Sequence, residues 1–156
     1  MDRLWAFLIS ILPIVELRGG LVFARLANIP FVQAFLICLA GNLLPIPFIL
    51  LFLQKIFLWL EKFAWTKKIV DWLKRRARAK SGKIQNGQLV ALFLFVAIPL
   101  PGTGGWTGAL IASVLGLPKR KSFPAIGLGI VGAGIIMSVL AYLLPEVFGK
   151  IFGFTV

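Results

Sequence analysis

The chain has no histidine, a single cysteine (Cys38), and five acidic residues against 17 lysines and arginines. Each scarcity removes a class of function. Without histidine there is no imidazole base and no nitrogen donor for a zinc site, and one cysteine allows neither an intramolecular disulfide nor a thiolate cluster. With so few carboxylates, no nucleophile and base pair stands out, so no enzyme, metal or cofactor is expected. Water-loving stretches are also scarce: 60% of residues are hydrophobic and the mean hydropathy is +0.97, which points to an integral membrane protein. The formal charge of +12 does not imply a nucleic-acid partner, because the cations lie between apolar runs, where they mark the cytoplasmic side of a membrane. The first apolar run, residues 4–15, has the length of a signal-peptide core. It leads into Glu16 and Arg18 without a small-residue cleavage site, and is kept as structure.

The chain is organised around Pro99-Leu100-Pro101-Gly102-Thr103-Gly104-Gly105-Trp106-Thr107-Gly108, which interrupts a strongly apolar stretch. The arms on either side, residues 89–98 and 109–117, are each too short to cross a hydrocarbon layer roughly 30 Å thick. Two prolines without N–H groups and a cluster of glycines predict a sharp reversal. Irregular backbone at membrane depth survives only where protein or a water-filled cavity satisfies it, so a re-entrant hairpin with a buried tip is expected.

Residues 4–27 repeat this layout, broken at Pro13 and followed by Glu16-Leu17-Arg18-Gly19-Gly20. Setting Pro13 on Pro101, 88 positions on, also aligns Gly20 with Gly108, Ala24 with Ala112, Pro30 with Pro118, Phe35 with Phe123 and Gly41 with Gly129. Residues 31–60 form a span longer than the core requires, broken near its middle by Asn42, Pro45 and Pro47. Residues 61–87 read as a basic amphipathic linker with interfacial tryptophans. Lys119-Arg120-Lys121 then follows the second hairpin. If both basic clusters share the cytoplasm, the chain between them must return to the side it left, while residues 123–144 span back. The G-x-G-x-x-G match at Gly127 to Gly132 lacks the strand and acidic residue of a dinucleotide site. Ala125, Gly129, Ala133, Gly134 and Ser138 are read as a helix-packing face.

The expected fold is thus an all-α integral membrane domain of two inverted repeats, each a re-entrant helical hairpin plus a transmembrane helix. Repeat one covers 4–60, the cytoplasmic linker 61–87 and repeat two 88–145, with both termini extracytoplasmic. Both tips and the break at Asn42 reach one depth, bringing together Glu16, Arg18, Asn42, Thr103 and Thr107. Each returning arm points its helix N-terminus at the membrane centre, and Arg18 adds a guanidinium, which together suit an anion such as phosphate. Arg18, Gly19, Asn42, Gly102, Thr103, Gly104 and Thr107 are the candidate substrate-binding residues. Glu16 feels two opposed influences, burial and Arg18, which makes it the candidate for proton coupling. A structural Glu16–Arg18 ion pair closing the turn is the simpler alternative, and it needs the turn to continue through Leu17. Trp106 is read as packing.

Glu16-Leu17-Arg18-Gly19 after a proline, Gly41-Asn42 before Pro45-x-Pro47, and the proline-glycine turn with Trp106-Thr107-Gly108-Ala109 resemble the family called putative small multidrug export proteins over most of the chain. That family is distantly similar to the DedA/VTT membrane proteins, implicated in moving lipid phosphates. The resemblance implies transport in a prokaryotic cytoplasmic (inner) membrane. A transporter or scramblase for an anionic lipid such as a polyprenyl phosphate comes first, an exporter of small cationic drugs second, and a non-transporting membrane scaffold third. Repulsion of cations by Arg18 and two positive helix ends weighs against the second. The expected partners are membrane lipids and a second copy of the chain, since so few spans enclose little path.

Overall fold

A computed structural model of the chain describes residues 1–60, 85–100 and 102–143; nearly all of the basic linker, Pro101 and the segment beyond residue 143 lie outside them. The described residues are helical throughout, with no strand. The helices are α1 (Asp2–Ile11), α2 (Glu16–Leu26), α3 (Phe31–Leu43), α4 (Pro45–Leu60), α5 (Gln85–Ala97), α6 (Gly105–Val114) and α7 (Lys119–Ser138), the last running into a π-helical turn, Val139–Leu143.

Among the described residues, two stretches are long and apolar enough to cross a membrane, Phe31–Leu53 and Lys119–Tyr142. Only 28% and 39% of them is buried inside the protein, unlike the core helix of a soluble domain. Leu36, Phe48, Phe52, Leu128 and Ile135 face outward, as lipid-facing residues would. The first stretch is interrupted at Leu44, between α3 and α4, because Pro45 and Pro47 cannot donate to the carbonyls four residues back. The second starts earlier than residue 123: the Lys119-Arg120-Lys121 cluster forms the first turn of α7, after Pro118.

α1 and α2 form a helical pair joined by residues 12–15. Both Ile11 and Glu16 touch Trp106, while Met1 to Arg3 meet Ala27 to Pro30 at the far end, so the two helices run in opposite directions. α5 and α6 form the second pair, in which a Cβ at Gly108 would press on Val96 and Leu92. The second arm begins at Gly105, four residues before the expected start, and brings the tip glycines into its first turn. α7 contacts α2, α3, α4, α5 and α6. It runs opposite to α3, since Gly134 meets Phe35 while Tyr142 lies against Phe31.

The local geometry of the two halves matches at the 88-residue spacing. α2 ends with Asn28 at φ +54°, its N–H bonded to Arg25 O and that of Ile29 to Ala24 O; α6 ends with Gly116 at φ +65°, bonded to Ser113 O, and Leu117 to Ala112 O. Both ends are left-handed C-caps of the same kind, each followed by a proline that starts the next helix. Gly41 of α3 lies against Phe7 O and Ser10 of α1, as Gly129 of α7 lies against Phe93 O and Val96 of α5. The predicted packing face of α7 is used in this way, with Gly129 on α5 and Gly134 against Leu17 and Phe35.

Candidate functional site

The two turns meet tip to tip beside Asn42 and the middle of α7. Leu12 is extended, as a residue before proline prefers, and residues 13–15 make one turn closed by Glu16 N–H to Leu12 O at 2.9 Å. Glu16 then takes φ +53°, a left-handed conformation that costs a non-glycine residue on the order of 1–3 kcal/mol. The strain aims its carboxylate across the gap. Oε1 accepts the Trp106 N–H at 3.1 Å, in the first turn of α6, where helix N–H groups lack internal partners and the dipole favours an anion. Glu16 is 5% exposed.

Arg18, two residues on in the first turn of α2, goes to the opposite helix end. Nη1 donates to Leu100 O, and Nη2 is shared among Ile98 O at 3.2 Å, Val96 O at 3.4 Å and Thr103 Oγ1 at 2.9 Å. These carbonyls lie at and beyond the C-terminus of α5, where nothing in the helix can donate to them. Thr103 Oγ1 donates in turn to Ile98 O or Leu100 O, 2.7 and 2.8 Å away, closing the turn. Rather than pairing with each other, the two charges each cap a helix of the facing hairpin, so the simple ion pair is not what holds the tip.

Gly104 is the point of closest approach. It adopts φ +150° and ψ −171°, a region open almost only to glycine, and a Cβ there would collide with the Glu16 carboxylate. Trp106 completes the seam: its Nε1–H donates to Ile11 O at 3.0 Å, so a residue read as packing also caps the end of α1. Its neighbourhood of turn glycines is the only sequence signal that could have suggested this.

Of the predicted residues, Glu16, Arg18, Asn42 and Gly104 line one crevice with Leu17, Val96, Gly105, Ile130 and Ala133, and Thr103 joins it through Arg18. Gly19, Gly102 and Thr107 do not line it. Ile130 and Ala133 were missed as site residues because they are apolar members of a helix-packing face. The crevice is too tight to hold a water molecule. The anion position at the α6 N-terminus is therefore filled by the chain's own carboxylate, and the guanidinium fork by carbonyls.

No curated protein and no solved structure matches this chain. A family model does, over residues 16–136, from the strained glutamate at the first tip to the last turn of α7, which takes in all the residues that build the seam except Ile11. The chain belongs to the family described as "Putative small multi-drug export protein".

Proposed function

We propose that this membrane protein is a transporter built from two inverted repeats, each a re-entrant hairpin and a membrane-crossing helix, which moves a lipid bearing a phosphate anion, a polyprenyl phosphate being the simplest case. Transport, not catalysis, is the role assigned. The matching caps 88 residues apart, the seating of Gly41 and Gly129 on the first helix of each pair, and the opposed directions of α3 and α7 support the repeats. Short helix pairs whose tips meet support re-entrance, because within the described residues neither pair has an arm long enough to span.

The observation that carries the substrate class is the Glu16 carboxylate seated on the α6 N-terminus. It marks a built anion position that a substrate phosphate can take when the hairpins part, with Arg18 released to meet it. Glu16, displaced, would then be free to take up a proton. One observation favours the cationic reading instead: the carbonyls of Val96, Ile98 and Leu100 with Thr103 Oγ1 form a cage already holding a cation, the Arg18 guanidinium. In this account the protein is a multi-pass component of a prokaryotic cytoplasmic membrane. Both basic clusters are cytoplasmic, the termini lie outside, and a homo-oligomer encloses the path.

Flux of labelled lipid phosphate in proteoliposomes across pH separates the readings. Arg18→Lys keeps the charge, loses the planar fork, and should slow phosphate-lipid flux. Glu16→Gln should leave phosphate-lipid binding intact or tighter and flatten its pH dependence. If Glu16→Gln instead abolishes binding of cationic amphiphiles while Arg18→Lys spares it, the anion assignment fails.

A further inference from the structure

Two polar atoms in the lining residues of the central crevice have no partner. One is Oδ1 of Asn42, a side chain 2% exposed; the other is the Nε–H of Arg18. The first is an unused acceptor and the second an unused donor. Each unmade bond is costly when buried, and the closed crevice, too tight for water, offers neither a substitute. A structure normally removes such a cost by substitution or by a bound water, so their survival in the lining of one crevice points to a ligand that supplies both complements.

The charge balance narrows that ligand. Glu16 and Arg18 cancel, and they sit beside helix ends of opposite partial charge, the N-terminus of α6 and the C-terminus of α5. The site is neutral as built. A ligand with one net charge would leave that charge uncompensated in a low-dielectric interior, whereas a ligand bearing both signs would not.

Resting on the transport reading above, we infer that the crevice, once the hairpins part to make room, takes a zwitterion carrying a primary amine and a phosphate, the amine donating to Asn42 Oδ1 and the phosphate accepting from Arg18 Nε–H. Asn42 is then the residue that sets specificity. A quaternary ammonium has no N–H to offer it.

The test is calorimetric titration of the full chain in detergent with probes of one short acyl length. These are phosphatidylethanolamine, phosphatidylcholine, phosphatidic acid and an alkylamine, with water-soluble phosphoethanolamine as competitor. Phosphatidylethanolamine should bind about tenfold or more tighter than either of the other two phospholipids, the scale of one good buried hydrogen bond or one uncompensated charge. In Asn42→Leu the gap between phosphatidylethanolamine and phosphatidylcholine should close, with the elution profile and melting temperature kept. If that variant does not fold, the wild-type ratio alone decides. Competition by phosphoethanolamine would place the ligand in solution, and its failure would place it in the bilayer; both support the zwitterion. Equal binding of the ethanolamine and choline lipids would overturn the role of Asn42. Tightest binding of phosphatidic acid would overturn the zwitterion and leave phosphate transport standing. A preference for the alkylamine, or no binding of any probe, would overturn both.

Discussion

The two turns that meet at the centre of this protein lie 88 residues apart in the sequence and have opposite chemistry. The first carries Glu16 and Arg18 on a short turn with one strained residue; the second carries Thr103 and three glycines on a longer one and has no charged side chain. The second turn exposes both polarities of backbone, carbonyls at the end of α5 and N–H groups at the start of α6, and the first turn answers each with a formal charge. Arg18 and Trp106 hold matching positions 88 residues apart, and each reaches across to cap the first helix of the other hairpin. The equivalents of the Glu16 side chain are missing, because Gly104 stands there and the carboxylate fills the space its side chain would need. The lesson is that two hooks of similar geometry, 88 residues apart, leave room for a charge between them because one position of a matched pair is glycine.

The contrast can be broken at several points. The largest effect is expected for Arg18→Leu. It removes the charge-assisted bonds to Ile98 O and Leu100 O and leaves Val96 O without its side-chain donor, and since such bonds contribute about 1.5–3 kcal/mol each, the melting temperature in detergent should fall more than for any other single change at the seam. Gly104→Ala comes next, because it meets both a forbidden φ and the Glu16 carboxylate; a loss of about 2 kcal/mol or more is expected in unfolding titrations, and Glu16→Gly in the same chain should recover part of it. Trp106→Phe removes one neutral bond to Ile11 O and should cost about 1 kcal/mol by the same titration. The smallest effect on stability is expected for Asn42→Leu, which removes an unpartnered acceptor and should leave the melting temperature unchanged or slightly raised.

Much of this architecture is legible in the sequence, for identifiable reasons. Prolines and glycines punctuate apolar runs too short to span, so the pairs α1–α2 and α5–α6 follow from length and from residues such as Pro13 and Gly102. Pro45 and Pro47 locate the break between α3 and α4 because a missing N–H acts locally. The convergence of Glu16, Arg18, Thr103 and Asn42 follows from depth alone. What could not be read is which partner each takes. The pairing of Glu16 with Trp106 N–H, and of Arg18 with backbone carbonyls, depends on a left-handed φ at a glutamate and on the tilt of two turns, neither of which leaves a mark in residue type. Thr107 illustrates the same limit: it lies one residue past Trp106, yet the start of α6 at Gly105 keeps it out of the crevice lining.

The central claim is that two hairpins enter from opposite faces and meet at mid-depth, and side-specific labelling tests it most directly. Single cysteines at Gly87, Arg120 and Arg3, all exposed positions, would be placed in a Cys38→Ser background and treated in intact cells and inverted vesicles with a membrane-impermeant thiol reagent. Gly87 and Arg120 should label from the cytoplasmic face and Arg3 from the outer face, because α5 and α6 carry the chain in and back out on one side. Labelling of Gly87 and Arg120 from opposite faces would mean that the α5–α6 pair crosses the membrane, and the account of two meeting tips would be wrong.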